Sequence, residues 1–361
     1  MKKNSFLNIY KNKKVLVTGS TGFKGSWLTF WLYKLGAKVI GIGLKPEKNF
    51  KLYDQLKLKK KIKQYILNIE NYEKLNNIIK KEKPDIIFHL AAQSIVSTSF
   101  KRPLKTIFTN VLGGSNILEA VRNNQTKALV YVTSDKCYLN NEKKKNYKER
   151  DILGGFDNYS ASKASAEILF YSYFQSFFKN NKKINVGSAR AGNVIGGGDW
   201  AEDRIVPDTA KSWIKNKELN IRNPLATRPW QHVLEPLGGY LTLARKLQQN
   251  PNLNGEAFNF GPNADESRTV LDLIKELSKY WNNLQYNQDF DNNKFHESNL
   301  LKLNCDKALH YLDWKSRLSF KETIEMTANW YSNYYIHKTS IIDFTKKQIN
   351  FYQNKFLGHR N

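Results

Sequence analysis

The chain has 361 residues, with 58 Lys and Arg against 32 Asp and Glu, a formal net charge of +26 and 40% hydrophobic content. That is enough for two packed units or one large α/β body with an added lobe, and it excludes a disordered tail. Two cysteines, Cys137 and Cys305, cannot build a disulfide framework, and Lys or Asn interrupts every apolar run short of the roughly 18 residues a membrane helix needs.

The first residues carry charge but no apolar signal core, so a reducing cytoplasm is the expected compartment. The basic excess by itself raises nucleic acid or an anionic membrane as a partner. Its runs, Lys57 to Lys63, Lys80 to Lys83, Lys143 to Lys148 and Asn180 to Lys183, are scattered over expected loops and helix ends and interleaved with Asn. They read as solvated surface, and neither partner is expected.

Along the chain, Val15 to Val17 is an apolar strand core, followed by a helix from about Lys24 to Leu35 and a strand from Lys38 to Leu44. A strand near Tyr65 to Ile69, a helix near Tyr72 to Lys81 and a strand over Asp85 to Leu90 come next. Helix Leu104 to Val121, strand Ala128 to Thr133, a long helix Tyr159 to Phe178 and strand Ile184 to Ser188 complete the alternation. Short strands that are apolar throughout are buried on both faces, which predicts an α/β fold with a doubly wound, Rossmann-type parallel sheet.

After Arg190 the regularity weakens, and a Pro- and Gly-punctuated, smaller C-terminal substrate-binding lobe is expected. The expected division is residues 1–190 for the dinucleotide-binding domain with a return segment near 229–256, and 191–228 with 257–335 for the lobe. The tail, 336–361, is polar with isolated aromatics and has no assignable role.

Three motifs carry chemistry. Gly19, Gly22 and Gly25 form GxxGxxG between the first strand and the first helix, where a tight turn brings the backbone up to a pyrophosphate at the helix N-terminus. The acidic residue that ends the second strand in NAD-binding sheets is missing from Gly43 to Glu47. Lys24 or Lys45 there would suit the 2′-phosphate of NADP, so NAD and NADP both stay open. Tyr159 and Lys163, four apart, share one face of a helix, which would place the ammonium near the phenol and lower its pKa; a half-exposed helix face explains the spacing equally well. Ser134, Asp135 and Lys136 follow a strand at its carboxyl end, where open α/β sheets bind ligands and these side chains should line the site; a turn salt bridge between Asp135 and Lys136 is the less favoured alternative. Cys137, without a neighbouring His, is a packing residue, and no metal site is expected.

Together with HLAAQ at His89 to Gln93, AGNVIGGGDW at Ala191 to Trp200 and RPWQHVLEPLGG at Arg228 to Gly239, these motifs resemble the extended short-chain dehydrogenase/reductases, and within them the CDP-glucose 4,6-dehydratase branch. The resemblance runs to about Trp330. It implies a lyase that oxidises C4 of a nucleotide sugar, eliminates water across C5 and C6 and reduces C6, usually for dideoxysugars of surface glycans. Another nucleotide-sugar dehydratase or a 4-epimerase is the alternative, and a non-catalytic binding protein a more distant one. An epimerase needs only Ser134, Tyr159 and Lys163; elimination also needs an acid and a base, and Asp135 and Lys136 supply that pair if burial near Lys163 lowers the pKa of Lys136. By the same resemblance NAD lies on Gly19, Thr21, Gly22, Phe23, Lys24 and Gly25, then on Asn68, Ile69, Leu90, Ala91, Ala92 and Asn110, and on Tyr159 and Lys163. The sugar nucleotide meets Gln93, Ser134, Asn193, Arg204, Arg228 and His232, although His232 is equally well a structural residue. Ser20 replaces a His usual in that branch, which implies altered nucleotide affinity. Phe170, Phe174, Phe177 and their neighbours exceed what one sheet face hides, and a homodimer through two paired helices is expected.

Overall fold

Strand β1 (Lys14–Thr18) lies in the interior, because Val15, Leu16 and Val17 are all fully buried although successive side chains of a strand point to opposite faces. The computed structural model describes residues 8–46, 52–141, 146–221, 223–263, 267–282, 284–288, 301–356 and 358. Glu47 and positions 143–145 of one lysine run lie outside the described residues.

Six further strands join β1: β2 (Lys38–Gly43), β3 (Lys63–Ile66), β4 (Ile86–His89), β5 (Ala128–Val132), β6 (Asn185–Arg190) and β7 (Ala257–Asn259). They form one sheet in the order β7-β6-β5-β4-β1-β2-β3, with every pair parallel. Val15 and Val17 enter the core on one face, Leu16 that on the other, and Ile86 and Phe88 separate from Ile87 in the same way. One face is covered by α1 (Phe23–Lys34) and by a later helix, Leu234–Gln249, and the other by α2 (Tyr72–Glu82), α3 (residues 103–122) and α4 (residues 158–178). The sheet is doubly wound, as its apolar runs predict.

The chain runs outward from β1 to β2 and β3, then returns to β4 on the opposite side of β1. The carboxyl ends of β1 and β4 therefore diverge into a crevice, the position at which such sheets bind ligands. The lobe beyond β6 holds α5 (Ile205–Ile214) and short two-stranded pairs; the chain then recrosses through α6 (Leu234–Gln249) to the edge strand β7. The return segment thus reaches Asn259 and does not stop at residue 256, because Ala257 to Asn259 pair with Ser188 to Arg190.

Two further expectations need correction. The third strand lies at Lys63–Ile66, ahead of the expected Tyr65 to Ile69. The tail is not featureless: after α7 (Phe320–Ser332), α8 (Ile341–Phe356) buries Ile341, Ile349 and Tyr352 against the core. The two long helices each contain a π-helical turn, Phe108–Leu112 in α3 and Phe174–Phe178 in α4. Among the described residues no helix is long and apolar enough to cross a membrane.

Candidate active site

A cavity of about 1090 Å³ follows the carboxyl ends of the strands from the glycine loop to the lobe. At its floor, Gly19 adopts φ +73°, and a Cβ there would lie 2.9 Å from the amide nitrogen of Ala91, so the loop after β1 and the loop after β4 touch only because this residue is glycine. Gly22 caps α1 without any side-chain hydrogen bond, leaving the first amides of the helix to the cavity that Gly22, Phe23, Lys24 and Gly25 line. An uncapped helix start against a glycine cradle fits a dinucleotide pyrophosphate. The Thr18 hydroxyl accepts from the amides of Leu90 and Ala91, both at 3.2 Å, and therefore donates to Nδ1 of His89 at 2.8 Å. Burial holds that imidazole neutral, with its pKa brought down to about 3. Leu90, Ala91 and Ala92 are thereby fixed on the cavity wall.

At the far end of the same wall, Thr21, Leu44, Lys45, Asn68 and Ile69 line the pocket; Thr21 Oγ1 donates to the carbonyl of Leu44 at 2.9 Å. Ser20 faces away from the cavity and donates to Gln64 at 3.0 Å, so it brings no side chain to a cofactor. Lys24 does not serve this end either. Burial first, and then the charges of Arg204 and Lys163, bring its pKa to about 8, and its opposite charges are Asp135 and Asp199, all at the other end of the cavity. Of the two lysines, Lys45 is the one that lines this end of the cavity.

The reacting groups gather where β5 ends. Ser134 donates to Asp135 Oδ1 at 2.9 Å and caps the short turn Asp135–Cys137 by accepting from the amide of Lys136 at 3.3 Å. Asn193 donates to the other Asp135 oxygen at 3.3 Å, and a Cβ on Gly192 would fall 1.9 Å from that carboxylate, which is why glycine stands there. Tyr159 is at the start of α4, whose first turn is capped by Asp157 through the amide of Ser160 at 2.9 Å. Its side chain lines the same cavity as Ser134. Lys163 Nζ lies 6.0 Å from the centre of the Tyr159 ring.

The electrostatics differ from expectation. Burial raises the Tyr159 phenol to about 12, against which Ser134 pulls down. Burial lowers Lys163 to about 8. Lys136 lines the same cavity and is half buried. Burial pushes the Cys137 thiol up, in keeping with a packing role. Across the cleft Arg204 is held by Asp199 at 2.8 Å and donates to Ser94 Oγ at 3.0 Å, and Arg228 lines the same wall.

Residues 16–327 match the family described as GDP-mannose 4,6 dehydratase. The chain belongs to that family. The match stops short of α8. A CDP-glucose 4,6-dehydratase of Salmonella typhimurium (strain LT2) is 40% identical over 353 residues, 96% of this chain and 98% of that protein. Among solved structures, the epimerase Mth375 of Methanothermobacter thermautotrophicus superposes with a TM-score of 0.78 at 24% identity, covering 96% of this chain and 97% of the other. A dTDP-glucose 4,6-dehydratase of Bacillus anthracis, in complex with NAD, gives 0.74 at 22% identity, covering 89% and 97%. These two likenesses are of fold.

In this family member three expected contacts lie off the cavity. His232 is fully buried; its Nδ1 accepts from the amide of Leu234 at 3.3 Å, its ring meets Trp27 edge-on at 6.0 Å, and burial keeps it neutral at about 3. Gln93 and Asn110 also turn inward: Asn110 accepts from the Gln93 amide at 2.8 Å and donates to Ser162 at 2.9 Å, while the Gln93 side chain donates to Thr106 at 2.8 Å. They tie the loop after β4 to α3 and α4 beside Lys163. Sequence reasoning missed Glu167, Arg190, Asp199 and Ser94. The one available signal was Glu167, one helical turn after Lys163 on a buried face.

Proposed function

We propose that the chain is an NAD-dependent nucleotide-sugar 4,6-dehydratase that converts CDP-glucose to CDP-4-dehydro-6-deoxyglucose. The observation that carries this reading is Asp135 and Lys136 in the same cavity as Ser134, Tyr159 and Lys163. A redox-only epimerase has no use for that second acid–base pair. The relative at 40% identity acts on CDP-glucose by name, which supports the nucleotide.

Gly19, Gly22, Phe23 and Gly25 would hold NAD, which when bound would supply a reversible hydride acceptor for the oxidation at C4 and the reduction at C6. Tyr159 takes the C4 hydroxyl proton, with Ser134 bonded to the same oxygen and Lys163 stabilising the phenolate. The 4-ketone acidifies C5; Lys136 takes the C5 proton as Asp135 protonates the C6 oxygen, which leaves as water, and once hydride is back on C6 Lys136 gives C5 a proton exchanged with solvent. Arg204 and Arg228 grip the substrate diphosphate, Arg204 by exchanging Ser94 for phosphate oxygens. Gln93, Asn110 and His232 act from behind the walls.

The functional unit is a homodimer. Leu104, Ile107, Phe108 and Leu112 on α3 and Ile168, Tyr171 and Phe177 on α4 are exposed on two adjoining helices, an apolar face of the kind that a second copy covers. Two free cysteines support a reducing, cytoplasmic setting. The test is incubation of the pure protein and NAD with CDP-, dTDP-, GDP- and UDP-glucose, watching 4-keto absorbance in base. Turnover of CDP-glucose above the other three supports the reading; no 4-keto product from any of them overturns it.

A further inference from the structure

Helix α8 is joined to the substrate arm by an unbroken series of buried contacts. Thr345 Oγ1 accepts from the indole of Trp330 at 3.0 Å, with both side chains buried. Trp330 in turn occupies the space over Gly197, where a Cβ would come within 1.9 Å of its ring. The carbonyl of Gly197 accepts from Trp27 of α1 at 2.9 Å, so the loop before Asp199 is wedged between α1 and α7. Trp200 meets Trp330 edge-on at 5.7 Å and donates to Tyr335 at 2.9 Å, and Tyr331 donates its hydroxyl to the carbonyl of Asp199. Asp199 then holds Arg204 at the cavity wall at 2.8 Å.

A second anchor keeps α8 in place. Tyr352 donates to Glu235 at 2.9 Å, and the other oxygen of Glu235 accepts from the amides of Arg317 and Leu318, ahead of α7, at 2.7 and 2.6 Å. Gln348 donates to the carbonyl of Met326 at 2.7 Å. The helix therefore docks on α7 at the segment that bears Trp330 and Tyr331.

We propose that α8 is a positioning element for substrate: through Thr345 and Trp330 it sets Asp199, and through Asp199 the direction of Arg204, so that it governs the grip on the diphosphate and not the chemistry at C4 to C6. This rests on the reading that Arg204 holds the diphosphate.

The experiment compares Thr345→Val, Thr345→Ser, Tyr331→Phe and Arg204→Ala in the full chain, reading KM for CDP-glucose, kcat, NAD affinity by fluorescence quenching, and Tm. Leaving a buried indole N–H without its acceptor is expected to raise KM about fivefold in Thr345→Val, with kcat and NAD affinity within about twofold of wild type. Thr345→Ser, which keeps the acceptor, restores KM. Tyr331→Phe, which leaves α8 untouched, repeats the selective rise. An unchanged KM in Thr345→Val and Tyr331→Phe, alongside a raised KM in Arg204→Ala, overturns the relay alone. A fall of kcat and NAD affinity in step with Tm overturns it as well, by showing a purely structural role. An unchanged KM in Arg204→Ala overturns the reading of Arg204 itself.

Discussion

Glu167 Oε2 lies 2.7 Å from Arg190 Nη2, with both side chains buried, and the same carboxylate accepts from Ser188 at 2.9 Å and from Thr133. One charged pair thus joins α4, one turn past Lys163, to the ends of β5 and β6 just before Ser134 and Gly192. Burial alone would raise the Glu167 pKa, but Arg190 and the two hydroxyls outweigh it and hold the carboxyl low. Removing one partner of such a pair costs about 3–5 kcal/mol, and Glu167→Gln is expected to lose that much in urea unfolding. A carboxyl held low contributes its stability above its unfolded pKa of about 4.3 and loses it as pH falls through the folded value. Wild type should therefore lose stability relative to Glu167→Gln below about pH 4, as unfolding curves between pH 3 and 7 will show.

Glu235 has the opposite sign. Its burial raises the pKa to about 7, against its hydrogen bonds from Leu318, Arg317, Tyr352 and Ser316. The folded state then binds a proton that the unfolded state has released, so stability falls as pH rises from about 4.3 to about 7 and is level above. Glu235→Gln keeps an acceptor for the two amides and does not titrate. Its stability relative to wild type is expected to rise by about 4 kcal/mol over that window. Urea midpoints from pH 5 to 8 measure it, and a difference independent of pH contradicts the assignment.

His232→Asn is expected to leave KM and kcat for CDP-glucose within about twofold while lowering Tm. Its Nδ1 bond to the Leu234 amide and its edge contact with Trp27 are structural, and no part of the ring reaches the cavity. Steady-state kinetics beside a thermal melt separate the two effects.

Leu104→Glu combined with Ile168→Glu places charge on the exposed face of α3 and α4. Light scattering should give twice the chain mass for wild type and the single mass for the double variant; a monomeric wild type would show that the face has no partner copy.

The central sheet was legible because burial on both faces demands strands such as Val15 to Val17 and Ile86 to Phe88, apolar at every position, and no surface strand needs that pattern. The glycine loop was legible because a close backbone approach leaves only glycine at Gly19. Side-chain direction was not. HLAAQ places Gln93 at the cavity by position, yet its side chain turns to Thr106, and His232 sits beside a cavity-lining residue, Trp230, while facing the core. Glu167 and Arg190 look like surface charges until the other is known to be opposite. Helix α8 buries Ile341, Thr345, Gln348, Ile349 and Tyr352, a regular helical spacing, but two of the five are polar and the stripe is invisible to a search for apolar residues.

The most direct test of the proposed dehydratase is turnover of CDP-glucose in deuterium oxide with NAD, followed by mass and NMR analysis of the product. Proton removal at C5, loss of the C6 oxygen and return of the C4 hydride to C6 require a 4-keto-6-deoxy product carrying one solvent deuterium at C5. An epimerised sugar without solvent deuterium, or no reaction, would contradict the roles given to Asp135 and Lys136.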